Sequence, residues 1–356
     1  MNKIPSLDGL RAISIVLVLM GHLQGTRHFP RLTEERWAGD YASVGVTFFF
    51  VISGYLITRL LLDELAKTGT ISLRLFYIRR GLRILPAFFA FLAAVMAAQA
   101  FGVIRLHEYD ILAAITYTVN YHPNRSWPIG HLWSLSVEEQ FYLIWPWTLK
   151  TLGTARSLWL TGAFYLGAPL LRGMMRVAVG PNPIRDLEIF PVIADGIAVG
   201  CLLAGLDGWL RGQTWYQRML ANKGWMPLVA IFVVLEINRY LGYTLAYVIG
   251  KPVMLAAMAY CVHWTIHQAN SPFGRFLNSR PVVMVGLLSY SLYIWQQPFF
   301  DRQSFAVFTS FPLNLLSVVV VAGCSYFLLE KPFFGLRHKF HPRQPVVTAP
   351  LTAAVR

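Results

Sequence analysis

Ten stretches of this chain are apolar for long enough to be spanning or nearly spanning segments, near 10–25, 44–62, 84–101, 140–152, 158–171, 189–206, 227–241, 245–266, 282–300 and 311–329. Nothing else in the sequence constrains the fold so tightly. In hydrocarbon every backbone N–H and C=O must be satisfied within the protein, and a helix does this inside a single segment. Several runs fall short of the ~20 residues a perpendicular span needs, so their ends borrow flanking residues or lie in a thinned, protein-lined region. Only 13% of residues are charged and 56% are hydrophobic, whereas soluble domains carry about 25% charge. The expected fold is all-α, a polytopic transmembrane helical bundle of about ten spans.

An eleventh candidate, Ile111 to Tyr121, is short and interrupted by Thr116, Thr118 and Asn120. If it is a re-entrant or interfacial helix and the N-terminus is cytoplasmic, about two thirds of the 31 Lys and Arg residues face inward, as the positive-inside tendency requires. If it spans, the basic tail after Glu330 faces outward. Ten spans with both termini cytoplasmic is the reading that follows. Residues 1–341 then form one transmembrane domain. Residues 342–356, with Pro342, Pro345 and Pro350, form a short cytoplasmic tail expected to be disordered.

The net charge of +14 lies largely in short loops and the tail, which fits topology and contact with membrane lipids rather than nucleic acid. Cys201, Cys261 and Cys324 sit in apolar runs without CxxC spacing, so neither a disulfide set nor a metal site is expected from them. The first apolar run contains Arg11 and His22 and no small-residue cleavage site follows it, so it stays as a helix rather than a cleaved signal.

Arg11 and His22 are eleven residues apart, about three helical turns plus ~20°, and so lie on one face of one helix ~16 Å apart. Arg11 alone can be a positive-inside anchor. His22, between the run Ile13 to Met20 and the polar Gln24-Gly25-Thr26, fits the rule that ionisable groups inside membranes mark sites. Arg79, Arg80 and Arg83 cluster at the start of the third span, where the helix dipole disfavours cations. A topology anchor explains part of this. The rest asks for an anionic partner, a donor phosphate or a lipid head group, which guanidinium forks match.

The segment His131-Leu-Trp133-Ser134-Leu-Ser136-Val-Glu138-Glu139-Gln140-Phe-Tyr142, outside in the ten-span reading, has the look of a helix start with carboxylates in its first turn. That explains one glutamate better than two with a His, a Trp and two serines. A His and a carboxylate from different helices suit a general base and its orienting group. Ser53-Gly54-Tyr55 breaks the second apolar run, and its small residues suit close helix packing. Ser289-Tyr290-Ser291-Leu-Tyr293-Ile-Trp295-Gln296-Gln297-Pro298 carries polar and aromatic groups through a span, as the wall of a cavity would. Asp195 and Glu330 are further buried or interfacial acids. Glu330 is expected to pair with Lys331 or a nearby Arg and has no catalytic role in this reading.

Taken together, these blocks resemble the acyltransferase-3 family, membrane enzymes that O-acylate bacterial surface glycans and sugar-bearing small molecules. The carriers are Leu7-Asp8-Gly9-Leu10-Arg11 with Gly21-His22, Gly45 to Ile57, Phe76 to Pro86, His131 to Tyr142, Ser289 to Trp295, and Glu330-Lys331-Pro332, in family order over nearly the whole chain. The resemblance implies a ten-helix acyltransferase domain in the bacterial inner membrane. It also implies an acyl-CoA donor, acetyl-CoA above all, reached from the cytoplasm, and a glycan or glycolipid acceptor on the far side. Arg11 and His22 match the family's Arg–His pair, and Arg79, Arg80 and Arg83 match the arginines that hold the CoA phosphates. Where many members have a His after the late tryptophan, this chain has Gln296. It also lacks the esterase-like domain fused to some relatives, so either a separate extracytoplasmic transferase completes the transfer or the acceptor is modified at the membrane.

The mechanism expected has His22 as general base on a sugar hydroxyl, Glu138 or Glu139 as its orienter, and a substrate cavity formed by Ser53, Tyr55, His131, Trp133, Ser136, Tyr293, Trp295 and Gln296. A covalent acyl relay would draw on Ser53, Ser134 or Ser136, none of which has a nucleophile-elbow context. The competing class is a transporter or flippase of an anionic or glycolipid substrate, which calls for inverted repeats with paired broken helices. No such repeat is visible in the sequence.

Overall fold

The structure is a computed structural model and describes residues 5–30, 35–179, 188–222, 224–240, 245–337 and 340. The tail expected to be disordered lies outside the described residues. Every described element is a helix, and no strand occurs among the described residues.

The first three helices are α1 (Pro5–Leu23), α2 (Glu35–Thr68) and α3 (Leu73–Ala100), followed by the short α4 (Asp110–Ile115) and α5 (Trp127–Gly130). The six residues of α4 rise only about 9 Å, so this segment does not cross a bilayer. Next comes the long α6 (Leu132–Val179), broken at Gly153. There a φ of +76° ends one helix and starts another, a conformation glycine adopts without Cβ penalty. α7 (Phe190–Ile193), α8 (Asp195–Gly212), α9 (Thr214–Asn222) and α10 (Met226–Tyr240) follow. The last set is α11 (Lys251–His267), α12 (Pro272–Leu277), α13 (Arg280–Phe299) and α14 (Leu313–Ser325), which runs through a π turn at Tyr326–Glu330 into α15 (Lys331–Arg337).

Among the described residues, four helices are long and apolar enough to cross a membrane: Pro5–Leu23, Tyr41–Thr68, Leu73–Ala100 and Leu313–Leu336. The bent pair Thr214–Ala221 and Met226–Ile237 gives a fifth if it counts as one span. The other apolar runs also became helices, but α10 and α11 are short, at 15 and 17 residues, and elsewhere polar side chains interrupt the apolar run. In α13, for example, Ser289, Ser291, Gln296 and Gln297 are all buried.

The bundle is built on close helix crossings. A Cβ on Gly54 of α2 would lie 2.0 Å from the Ile197 carbonyl oxygen of α8, and one on Gly200 of α8 would lie 2.1 Å from that of Val51. The expectation that Ser53-Gly54 allows close packing is met at Gly54. On the far side of α1, Gly286 of α13 sits against the Asp8 carbonyl at 1.9 Å from where its Cβ would be. These contacts draw α2, α8, α1 and α13 together around a core that includes Ile15, Val18, Phe50, Ile197 and Leu292.

Candidate functional site

Residues from α1, α2, α3, α6 and α13 enclose a cavity of about 230 Å³. One wall is apolar, with Phe49, Phe50, Leu56 and Leu60 of α2. The polar side carries Arg11, Arg80, Arg83 and Glu138, with Ser53, Tyr142, Tyr290 and Tyr293. Arg11 also lies 3.7 Å from Asp8, one turn earlier on α1.

Glu138 is the hub of the polar wall. Its Oε1 accepts from Ser53 Oγ at 3.2 Å and its Oε2 from Tyr142 Oη at 3.1 Å. Arg80 Nη2 lies 3.7 Å from Glu138 Oε2 and 3.4 Å from Glu139 Oε1. The Arg80 guanidinium also stacks 3.6 Å over the ring of Tyr142. One cation facing two carboxylates in a largely desolvated place makes each partner costly to remove, because the others stay behind unpaired.

This arrangement corrects a separation expected from the sequence, in which Arg80 lay on the donor side and Glu138 on the acceptor side. Each residue lies about two turns inside its helix, and the long arginine side chain closes the remaining distance.

A second tier lies further along α1 and α13. His22 Nδ1 is 3.1 Å from Gln296 Oε1, and the His22 ring meets Trp127 edge-on with centroids 6.0 Å apart. A carbonyl oxygen at Nδ1 selects the tautomer with its proton there and leaves the Nε2 lone pair open. The other half of that amide, Gln296 Nε2, is buried with no protein partner. Beside it, His131 is held at both ring nitrogens, Nδ1 by Gln297 Oε1 at 2.6 Å and Nε2 by the Ile294 carbonyl at 3.0 Å. Trp127 Nε1 donates to the Gln297 carbonyl at 2.9 Å. The tiers are joined by Tyr293, which lines the cavity and whose hydroxyl lies 2.5 Å from Ser134 Oγ and donates to the His131 carbonyl at 3.0 Å.

Of the candidate site residues named from the sequence, the cavity therefore gathers Arg11, Ser53, Arg80, Arg83, Ser134, Glu138 and Tyr293. His22 and Gln296 meet in the tier beyond it. Gln296, rather than Glu138 or Glu139, orients the His22 ring.

Other expected positions differ. The three arginines of α3 do not form one patch. Arg79 is buried, with Nη2 2.8 Å from Glu64 Oε2 and Nη1 donating to the Phe340 carbonyl at 3.0 Å, so its fork is spent inside the protein. Tyr55 turns from the cavity and accepts from Arg59 at 3.3 Å. Trp133 packs edge-on against Phe50, and Trp295 against Phe91. Ser136 donates back to the Leu132 carbonyl at 2.9 Å, as a serine inside a helix commonly does. Glu330 accepts from Ser291 across the helix pair rather than from Lys331. Asp195 pairs with the buried Arg172 at 2.6 Å.

Sequence reasoning missed Gln297 as the partner of His131, and it missed the grouping of Asp207, His263 and His267. His263 and His267 stand four apart in the run 245–266 and its end, which places them on one helix face. That spacing was the available signal, and the cysteine-based expectation of no metal did not weigh it.

A family model described as an acyltransferase domain matches residues 4–330. The chain belongs to the acyltransferase-3 family. Among its curated relatives, the peptidoglycan O-acetyltransferase OatA of Listeria monocytogenes is 26% identical over 92% of this chain and 55% of its own length. The O-acetyltransferase OatA of Staphylococcus aureus is 27% identical over 92% of this chain and 57% of its own. This acyltransferase-3 chain thus spans a little over half the length of the curated relatives it matches. No solved structure matches it.

Proposed function

We propose that this protein is a membrane O-acyltransferase of about ten spans that moves an acyl group, acetyl above all, from acyl-CoA to a hydroxyl of a glycan or glycolipid. The observation that carries the reading is the two-tier column: an apolar-and-arginine cavity beside Glu138, and about one helical turn further along α13 a histidine whose Nε2 is left open by Gln296. Membership of a family whose relatives include enzymes named O-acetyltransferases supports it. So do exposed apolar side chains on helices outside the four clear spans, such as Trp159 and Leu166 of α6 and Phe232 of α10, which suit a lipid face.

The cavity, at about 230 Å³, is smaller than the ~300–1,000 Å³ of sites that take a whole drug-sized ligand. It fits part of the donor's acyl-pantetheine arm, with the thioester end toward His22, the phosphate end toward Arg11 and Arg83, and the nucleotide outside. Arg11 and Arg83 at its polar side suit the anionic part of the donor arm. Arg79, engaged with Glu64, is left out of that role, and Arg80 serves to hold Glu138 and Glu139.

In the transfer step the acceptor oxygen attacks the thioester carbonyl as His22 Nε2 takes its proton. The C–O bond forms, the C–S bond breaks, and the imidazolium returns the proton to the departing thiolate. General-base help of this kind contributes about 10²–10⁴ in rate. The unpartnered Gln296 Nε2 amide supplies a buried donor for the developing oxyanion.

The direct test is turnover by the purified full chain with acetyl-CoA and oligosaccharide acceptors, following thiol release and acceptor mass. Acetylated product that disappears in His22→Ala supports the reading. Transport of an unmodified acceptor without thiol release would overturn it.

A further inference from the structure

At the end of the bundle where α8 meets α11, away from the cavity, three ligand atoms converge. His263 Nε2 lies 2.8 Å from Asp207 Oδ1 and 3.0 Å from His267 Nε2, and His267 Nε2 lies 3.7 Å from Asp207 Oδ1. Among the described residues this is the one grouping of three such side chains whose ligand atoms come within 4.8 Å of one another. A triangle of these sides has room for one point about 2.0–2.1 Å from every corner, just off its plane, and that is the length of Zn–N and Zn–O bonds.

The surroundings are those of a built site. His263 is fully buried and its Nδ1 lies 2.7 Å from Tyr216 Oη of α9. With Nε2 bound to a metal, Nδ1 carries the proton and donates to that phenol oxygen, the outer hydrogen bond that metal-bound histidines almost always make. Asp207 keeps its two oxygens apart in function. Oδ2 accepts from Arg211 at 2.8 Å and faces Arg59 at 3.4 Å, which leaves Oδ1 toward the imidazoles. Asp63, 3.4 Å from Arg59, offsets one of those cations. Two imidazole Nε2 atoms 3.0 Å apart need something between them or beside them. A hydrogen-bonded cluster without metal satisfies them only by splitting one proton of His263 between Asp207 and His267. The His267 side chain is about 29% exposed, so water has access to complete a fourth position.

We propose that Asp207, His263 and His267 bind a divalent transition metal of the zinc class, with one solvent ligand, and that the ion pins α8 to α11. Two imidazoles and one carboxylate oxygen are the donors that borderline dications prefer over calcium or magnesium. The ion stands apart from the transfer chemistry. Its part is structural, because Arg59 links Asp207 to the Tyr55 hydroxyl on α2, the helix that carries Ser53.

The test uses the full chain purified in detergent, stripped with a chelator, and titrated with zinc or cobalt(II). About one ion per chain, visible cobalt bands of tetrahedral intensity and a raised thermal midpoint on zinc addition are the expected results. His267→Gln, at a partly exposed position, should still fold and should lose the cobalt bands and the zinc-dependent rise. Tyr216→Phe keeps all three ligands and should weaken zinc about 10–100-fold. If stripped wild-type protein binds zinc no more tightly than His267→Gln, or its midpoint is unmoved by zinc and chelator alike, the cluster is a hydrogen-bond network and the proposal fails.

Discussion

Replacing Gln296 by leucine tests how this side chain positions His22. The side chain is fully buried, its Oε1 holds His22 Nδ1 at 3.1 Å, and its Nε2 has no partner in the protein. Leucine fills nearly the same volume and removes a buried amide that is only half satisfied, but it also leaves the His22 Nδ1–H without its acceptor, so the folded state should lose up to about 1–3 kcal/mol. What is lost is one neutral hydrogen bond that fixes the His22 tautomer, about 0.5–1.5 kcal/mol. That corresponds to about a two- to tenfold fall in kcat. Loss of the amide as an oxyanion donor adds to this and carries the total toward the ~10²–10³ range of such donors. Initial rates of thiol release over a range of acetyl-CoA concentrations give the split: kcat should fall while KM for the donor stays within about twofold. Gln296→His, which restores a ring nitrogen at that position, should recover part of the rate. An unchanged kcat in Gln296→Leu, with the protein folded, would refute the assignment of Gln296 as the group that orients His22.

His22→Ala should lower kcat by about 10²–10⁴ with membrane insertion intact, measured as acetylated product per chain. Arg83→Ala should raise KM for acetyl-CoA, whereas Arg79→Ala, which strands Glu64, should lower the thermal midpoint before it changes KM. Glu138→Gln leaves Arg80 paired with Glu139 and weakens the bonds from Ser53 and Tyr142, and should cost about 1.5–3 kcal/mol of stability, read from thermal unfolding in detergent. Gly54→Ala drives a methyl into the Ile197 carbonyl, and overpacking of about 1–3 kcal/mol should appear as loosened α2–α8 contact in cysteine crosslinking. On sidedness, a cysteine at the exposed position Glu108 should react with an impermeant maleimide from outside, and one at the exposed position Arg218 should not. Reversed labelling would invert the proposed direction of transfer.

The sequence by itself determined the helical class, the place of most helices and the alignment of Arg11 with His22. All of these follow from local rules: apolar run length, the helical repeat and the absence of a break between Pro5 and Leu23. It also singled out Ile111 to Tyr121 as a short, interrupted candidate, and the structure gives that segment the six-residue α4. Tertiary structure decided who meets whom. Arg80 faces Glu138 and Glu139 rather than an open donor face, and Arg79 faces Glu64. Gln296 comes to His22 across 274 positions, and Asp207 to His263 across 56. A helix repeat tells which residues share a face but not which neighbour that face will find. That choice is made where glycines let two backbones touch, at Gly54 with Ile197 and at Gly286 with Asp8. Those crossings fix the rotation of each helix, and with it every long-range contact at the site.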